Sequence, residues 1–314
     1  MSITKRIDAT SYIDPEYLGT VIPAPKSVKI ELTGRCNFEC SFCAHKNQEA
    51  KRQDMDWDFY KRIVHEMLNA GVEELGVFYI GESLMCEWLP EAIGYAKEIG
   101  FPYVFLTTNG SLLSENKTKA LMAAGLDSLK FSFNNADAAQ FRAVTGRPPK
   151  IFDTIKANIR TARAVRDKYG YKTRIYASSI MYDGEQQKRM ESAVNEIIPY
   201  LDEHYWLPLF TFGGQATEEE KKRDMAPTVG NPGRLDNMRP PLPCWAVFKE
   251  GHITHTGLVS ACCFDCSDKW AMADLNKTDF MTAWNSPEFQ ALRAAHLKKD
   301  VRGTACEDCI ARKA

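Results

Sequence analysis

Apolar runs rich in β-branched and aromatic residues punctuate the chain between residues 27 and 212: SVKIELT, ELGVFYI, YVFLTT, SLKFSF, TRIYASSIMY and HYWLPLFTF. Between them the apolar positions take a helical period. After Asp56 they fall at Tyr60, Ile63, Val64, Met67 and Leu68, on one helix face closed by Gly71. After Gly184 the pattern returns with Met190, Val194, Ile197, Ile198 and Leu201. Near-continuous apolar strands alternating with amphipathic helices predict a parallel sheet built by βαβ crossovers. The fold class is therefore α/β, as a partial (βα)6 parallel barrel or an open doubly wound sheet, with its chemistry at the carboxyl ends of the strands.

The character changes at Thr217. The charged run EEEKKRD leads into a segment holding Pro227, Pro232, Pro240, Pro241 and Pro243, with no helix or strand period. This divides the chain into an N-terminal arm (1–24), a βα core (25–216), a linker (217–243) and a small Cys-rich tail (244–314) whose helix is SPEFQALRAAHLKK. With 314 residues, 44% apolar and 26% charged, the composition is that of a soluble globular protein. A formal charge of -1 gives no footprint for nucleic acid, and neither a membrane-length apolar run nor a signal segment is present, so the expected location is the cytoplasm. In that reducing compartment ten cysteines read as metal ligands rather than disulfides.

Three of them, Cys36, Cys40 and Cys43, form a C-x3-C-x2-C triplet directly after the first strand. Three thiolates can hold three irons of a [4Fe–4S] cluster and leave the fourth iron open to a small chelating molecule. The competing reading is a zinc knuckle lacking a ligand, or completed by His45.

The triplet at this point of a six-fold βα repeat resembles the radical S-adenosylmethionine (SAM) enzymes. The resemblance implies a [4Fe–4S] cluster on Cys36, Cys40 and Cys43 whose open iron binds SAM. One electron then cleaves SAM to methionine and a 5′-deoxyadenosyl radical. Phe42 matches the bulky residue that the family sets beside the adenine. Gly81 and Glu82, in Tyr79-Ile80-Gly81-Glu82-Ser83, keep part of the Gly-Gly-Glu-Pro turn that receives the SAM amino group, losing its first glycine and its proline. Ser132, Asn109 and Arg174 are carried over as SAM contacts, Arg174 for the carboxylate.

The tail holds Cys244, then Gly257 to Cys262-Cys263-Phe264-Asp265-Cys266, then Cys306 and Cys309, with Trp284-Asn285-Ser286-Pro287 between. This is similar to the SPASM/twitch subgroup in its shorter, twitch form. It implies an auxiliary [4Fe–4S] cluster on Cys244, Cys262, Cys306 and Cys309, against a structural zinc site made by four of the six tail cysteines. Cys263 and Cys266 lie beside a ligand, and either is a candidate hydrogen-atom donor or a replacement ligand. Asp265 is a base or holds the loop, Cys86 is a buried small apolar residue, and His252 and His255 lie on a hairpin.

These parts predict an enzyme acting on a polar small molecule (a sugar, cyclitol or aminoglycoside-like substrate) by alcohol oxidation or epimerisation. A flavodoxin or ferredoxin is the expected reductant. Candidates for lining the pocket are Tyr79, Asn109, Tyr176, Trp206, Phe210 and Gln215. Two alternatives are a ribosomal-peptide maturase of the same subgroup and a non-enzymatic iron–sulfur electron carrier. Many such maturases carry an N-terminal module that grips the leader, and the stretch before the first strand is too short for one. That favours the small-molecule reading.

Overall fold

The computed structural model describes residues 2–43, 45, 52–182, 184–207, 242–265 and 268–307. After helix α1 (Ile3–Ser11) come six strands, one in each apolar run: β1 (Ser27–Ile30), β2 (Glu74–Gly76), β3 (Tyr103–Thr108), β4 (Ser128–Ser132), β5 (Arg174–Ile180) and β6 (Glu203–Leu207). They pair in parallel, each with the next in the chain. The connecting helices are α2 (Trp57–Ala70), α3 (Leu89–Glu98), α4 (Glu115–Ala123), α5 (Ala138–Thr145), α6 (Lys150–Tyr169) and α7 (Gly184–Asn195). Phe210, Gln215 and the linker through residue 241 lie outside the described residues.

Local chemistry sets these boundaries. Asp56 caps α2 by accepting from Phe59 N, and Gly71 ends it at φ 96°. Such left-handed backbone is open to glycine at little steric cost. The face read from the sequence is buried at Tyr60, Ile63, Val64 and Met67, each worth roughly 1.5–3 kcal/mol of burial. Helix α7 is shorter than expected and stops at Asn195. Pro199 disfavours helical backbone at the residue before it, and Ile198 is left 47% exposed.

The strands are less uniformly apolar than expected. Val28, Ile30 and Leu32 are wholly buried on one face of the first strand and its extension, while Lys29 and Glu31 alternate with them on the other. Lys130 and Ser132 take the corresponding positions on β4, alternating with the wholly buried Leu129 and Phe131. The face turned away from the helices is thus polar.

The tail does not stand apart from this sheet. Helix α8 (Ala246–Lys249) runs straight into β7 (Glu250–Ile253), which pairs in parallel with β1, Lys29 opposite His252. Strands β8 (Leu258–Ser260) and β9 (Ala271–Asp274) continue antiparallel, giving one open nine-stranded sheet in the order β6-β5-β4-β3-β2-β1-β7-β8-β9. Helices α9 (Phe280–Trp284) and α10 (Pro287–Leu297) complete the described tail. They clamp the N-terminal arm: Trp284 Nε1 donates to Pro23 O at 2.9 Å, and Asn285 exchanges hydrogen bonds with the backbone of Ile22. Wholly buried Arg293 donates to the carbonyls of Thr20, Val247 and Trp284.

Helix α1 covers the amino ends of the strands. Arg6 lies 3.6 Å over the Tyr103 ring and pairs with Glu74, and Ile3 N donates to Glu203 at 2.8 Å. The carboxyl ends are left for the site. No helix among the described residues is long and apolar enough to cross a membrane.

Candidate active site

The loop carrying Cys36, Cys40 and Cys43 leaves β1 and is strung along the end of α5, with Glu39 N on Thr145 O (3.1 Å) and Ser41 N on Val144 O (2.8 Å). On its other side Arg35 forms a two-pronged pair with Asp54 and donates to Met85 O at 2.9 Å. Gly81 reaches the loop by close approach: a Cβ there would lie 2.0 Å from Thr33 O. Its N–H donates to Glu31 Oε1 at 3.0 Å, and Glu82 N donates to Arg35 O at 2.8 Å. The turn after β2 and the cysteine loop are therefore joined backbone to backbone.

Cys40, Cys43, Phe42, Asn109 and Ser132 line one cavity of about 150 Å³, backed by a wall of phenylalanines that includes Phe133. Asn109 ties the end of β3 to the loop through Asn37 Oδ1 at 2.9 Å. Burial pushes the Cys36 thiol up to about 12, which disfavours its bare thiolate. Three thiols on one loop, two of them (Cys40 and Cys43) opening on this cavity, suit an iron–sulfur cluster with an open iron. His45 is buried, with its Nε2 3.0 Å from Gly34 O.

Several sequence expectations change or narrow. Arg174 opens β5 at its amino end, more than half exposed and paired with Asp202 at 3.4 Å, on the side covered by α1 and at the opposite end of the strand from the cysteine loop. Tyr176, two residues on, is likewise buried toward that end. Glu82 does not present its carboxylate to a ligand. It is buried and accepts from Thr108 Oγ1 (2.7 Å), Asn109 N (2.8 Å) and Leu84 N (3.1 Å). Burial pushes this carboxyl up against the pull of its donors, and its work is to tie the β2 turn to β3. Asp265, read as a base or a holder of its loop, is wholly buried and accepts from Trp270 N at 3.0 Å, a contact that fits the loop-holding reading.

In the tail, Cys244 and Cys306 are buried, Cys262 and Cys263 partly so, and no disulfide forms among the described residues. Cys266 and Cys309 lie outside those residues. One imidazole joins two of the cysteines: Cys244 N donates to His296 Nδ1 (3.1 Å), and His296 Nε2 lies 3.2 Å from Cys306 Sγ. The Cys262 loop is pinned to the mouth of the sheet by Tyr79, whose hydroxyl shares its one proton between the carbonyls of Cys262 and Asp265, each at 2.9 Å. Cys86 is buried in the core, its thiol raised to about 12 by burial.

Sequence reasoning missed a buried cluster on the polar face. Lys29 Nζ pairs with Glu250 Oε1 at 2.6 Å, Glu250 Oε2 lies 3.0 Å from His252 Nε2, and ligand atoms of Glu250, His252 and Cys263 lie within 4.8 Å of one another. Burial pushes the Glu250 carboxyl up, but the charges of Lys29 and His252 outweigh it and hold the group well below the usual carboxylate range. The available signal was the alternation in SVKIELT, which sets Lys29 and Glu31 on one face. The hairpin read for the histidines does form, with His255 Nδ1 turned to Glu31 Oε2 at 2.7 Å.

The radical SAM superfamily model matches residues 30–197, more than half of the chain, and the chain belongs to that superfamily. The SPASM iron–sulfur cluster-binding domain model matches residues 244–310. Its cofactors are accordingly SAM and [4Fe–4S] clusters. Over 121 residues the chain is 31% identical to the GTP 3′,8-cyclase of Chlorobaculum tepidum, covering 38% of this chain and 36% of the relative. Over 128 residues it is 31% identical to the PqqA peptide cyclase of Xanthomonas euvesicatoria, covering 40% and 34%. The match thus spans about a third of each relative's length. Among solved structures, SuiB of Streptococcus suis bound to precursor peptide SuiA superposes with a TM-score of 0.66 at 14% identity, covering 93% of this chain and 71% of that one. BtrN in complex with AdoMet and 2-DOIA superposes at 0.56 and 18% identity, covering 87% of both.

Proposed function

We propose that this chain is a radical SAM enzyme that oxidatively modifies a peptide, with one cluster on Cys36, Cys40 and Cys43 and an auxiliary cluster on Cys244, Cys262, Cys306 and Cys309. The observation that carries the two-cluster design is Tyr79, which fastens the Cys262 loop to the strand ends where the SAM loop sits. Held at Cys36, Cys40 and Cys43, a cluster with SAM would supply hydrogen-abstracting radical chemistry, and a second cluster in the tail would offer a place for an electron. Forming a new bond between two peptide positions removes two hydrogens, so the reaction needs such an acceptor. Phe42, Asn109 and Ser132 would hold SAM in their shared cavity. Glu82, Gly81 and Arg35 keep the cysteine loop in place. A flavodoxin or ferredoxin would supply the low-potential electron.

Peptide as the substrate class is supported by the PqqA peptide cyclase match over the core and by the SuiB superposition. Oxidation of a small polyhydroxylated molecule is the second reading, favoured by the even 87% coverage of this chain and BtrN. The test is anaerobic turnover of the reconstituted enzyme with SAM and reductant, offered a library of linear peptides and a panel of cyclitols and aminosugars. A peptide product two hydrogens lighter, formed in step with 5′-deoxyadenosine, is expected. Such a product from the cyclitols alone would overturn the peptide reading in favour of the second.

A further inference from the structure

We infer that His296 is a positioning residue that sets the reduction potential of the auxiliary cluster by donating a hydrogen bond to the sulfur of Cys306. The inference rests on Cys306 being a cluster ligand, as proposed above.

The argument begins with the ring's tautomer. A backbone N–H can only donate, so the Cys244 N–H at 3.1 Å makes Nδ1 an acceptor. A neutral imidazole whose Nδ1 accepts carries its proton on Nε2. That nitrogen lies 3.2 Å from Cys306 Sγ, so the contact is N–H to sulfur with the sulfur accepting. The ring cannot swing away. His296 is wholly buried on α10, Phe248 meets it edge-on at 6.2 Å, and Arg293, one turn earlier, fixes the helix to three backbone carbonyls.

A donor aimed at a ligating thiolate draws electron density from the sulfur. Reduction adds negative charge to the cluster, so the hydrogen bond favours the reduced form and raises the potential. A higher potential suits a cluster that takes an electron from a substrate radical. The same ring also holds the Cys244 backbone, so one side chain sets both the place of one cysteine and the electron density on another.

The experiment is a redox titration of the full chain with both clusters loaded, followed by electron paramagnetic resonance with SAM present to shift the first cluster's signal. In His296→Leu the auxiliary cluster should titrate lower, with about tenfold less reduced cluster at a fixed potential, ~59 mV for a one-electron couple. In His296→Gln, whose amide N–H can still reach the sulfur, the midpoint should stay close to wild type. Coincident titrations of wild type and His296→Leu would overturn the inference. If His296→Leu does not load iron, wild type grown with isotopically labelled histidine decides instead. A magnetic coupling between the reduced auxiliary cluster and a histidine nitrogen supports the bond, and its absence overturns it. Cys306→Ala tests the underlying assignment separately. An intact auxiliary signal in that variant would remove Cys306 as a ligand, whereas loss of the signal together with an unshifted His296→Leu would refute the role of His296 alone.

Discussion

Replacing Lys29 with Met tests whether the tail is locked to the core through its buried charges. The ammonium sits 2.6 Å from Glu250, with side chains 19% and 6% exposed. Burial pushes Lys29 down, yet the Glu250 carboxylate, together with Cys263 and Tyr205, more than offsets it and holds the ammonium above its ordinary value. Removing one partner of a buried pair costs about 3–5 kcal/mol, because the other charge is left without compensation. His252 remains beside Glu250, so the lower end, about 3 kcal/mol, is expected. For a chain of 314 residues the entropy of unfolding is roughly 0.7 kcal/mol/K, which makes this a fall in Tm of about 4–5 °C. The assay is circular dichroism melting of the cluster-loaded protein at one scan rate, at pH 7 and at lower pH. In wild type the depressed Glu250 pKa contributes stability that is present above the unfolded carboxyl value of about 4.3 and lost as pH falls through the lower folded value. Without Lys29, burial raises that carboxyl, the penalty applies while it is ionised, and the gap to wild type should narrow as the pH drops toward 5. Adding Glu250→Gln to Lys29→Met should recover part of the loss. An unchanged Tm at pH 7, or a gap that widens on acidification, would refute the reasoning.

Other expectations follow from the same geometry. Cys36→Ala should lower iron from about eight to about four per chain and abolish 5′-deoxyadenosine formation, as read by iron analysis and chromatography. Glu82→Ala strands two backbone N–H groups and Thr108, so it should loosen the cysteine loop and weaken SAM binding at least tenfold by equilibrium dialysis, about 1.4 kcal/mol or more. Arg174→Ala, at the far end of β5, should leave SAM affinity within twofold of wild type in the same assay. Arg293→Met leaves buried carbonyls on both the arm and the tail without their donor and should cost about 3 kcal/mol, measured as a fall in Tm.

Chemistry carried by neighbours in sequence was legible from the chain alone. The cysteine triplet, the α2 face and the six strands all depend on residues a few positions apart, where spacing fixes geometry. Gly81 was also legible as part of a turn, although its reason proved to be contact with Thr33 rather than backbone conformation. Arg174 failed because a strand recognised as a whole does not reveal which end faces the site. The seven residues of strand from Arg174 to Ile180 span roughly 20 Å. The Lys29–Glu250 pair depends on β1 choosing β7 as its neighbour, and His296 meets Cys306 only once a helix and the following loop have packed. Those relations arise from register and packing, which no local pattern encodes.

The pairing of β1 with β7 means that the tail is not a detachable module. A chain cut at the linker would leave β1 with a bare row of backbone donors and acceptors along the side that Glu250–Ile253 now occupies. An uncovered edge on a strand flanked by wholly buried apolar side chains is a template for pairing with other chains. Shortened chains should therefore aggregate, and exchanging the tail between relatives should succeed only where the incoming strand can seal that edge in the same register. The boundary that looks natural in the sequence is thus a poor place to divide the molecule.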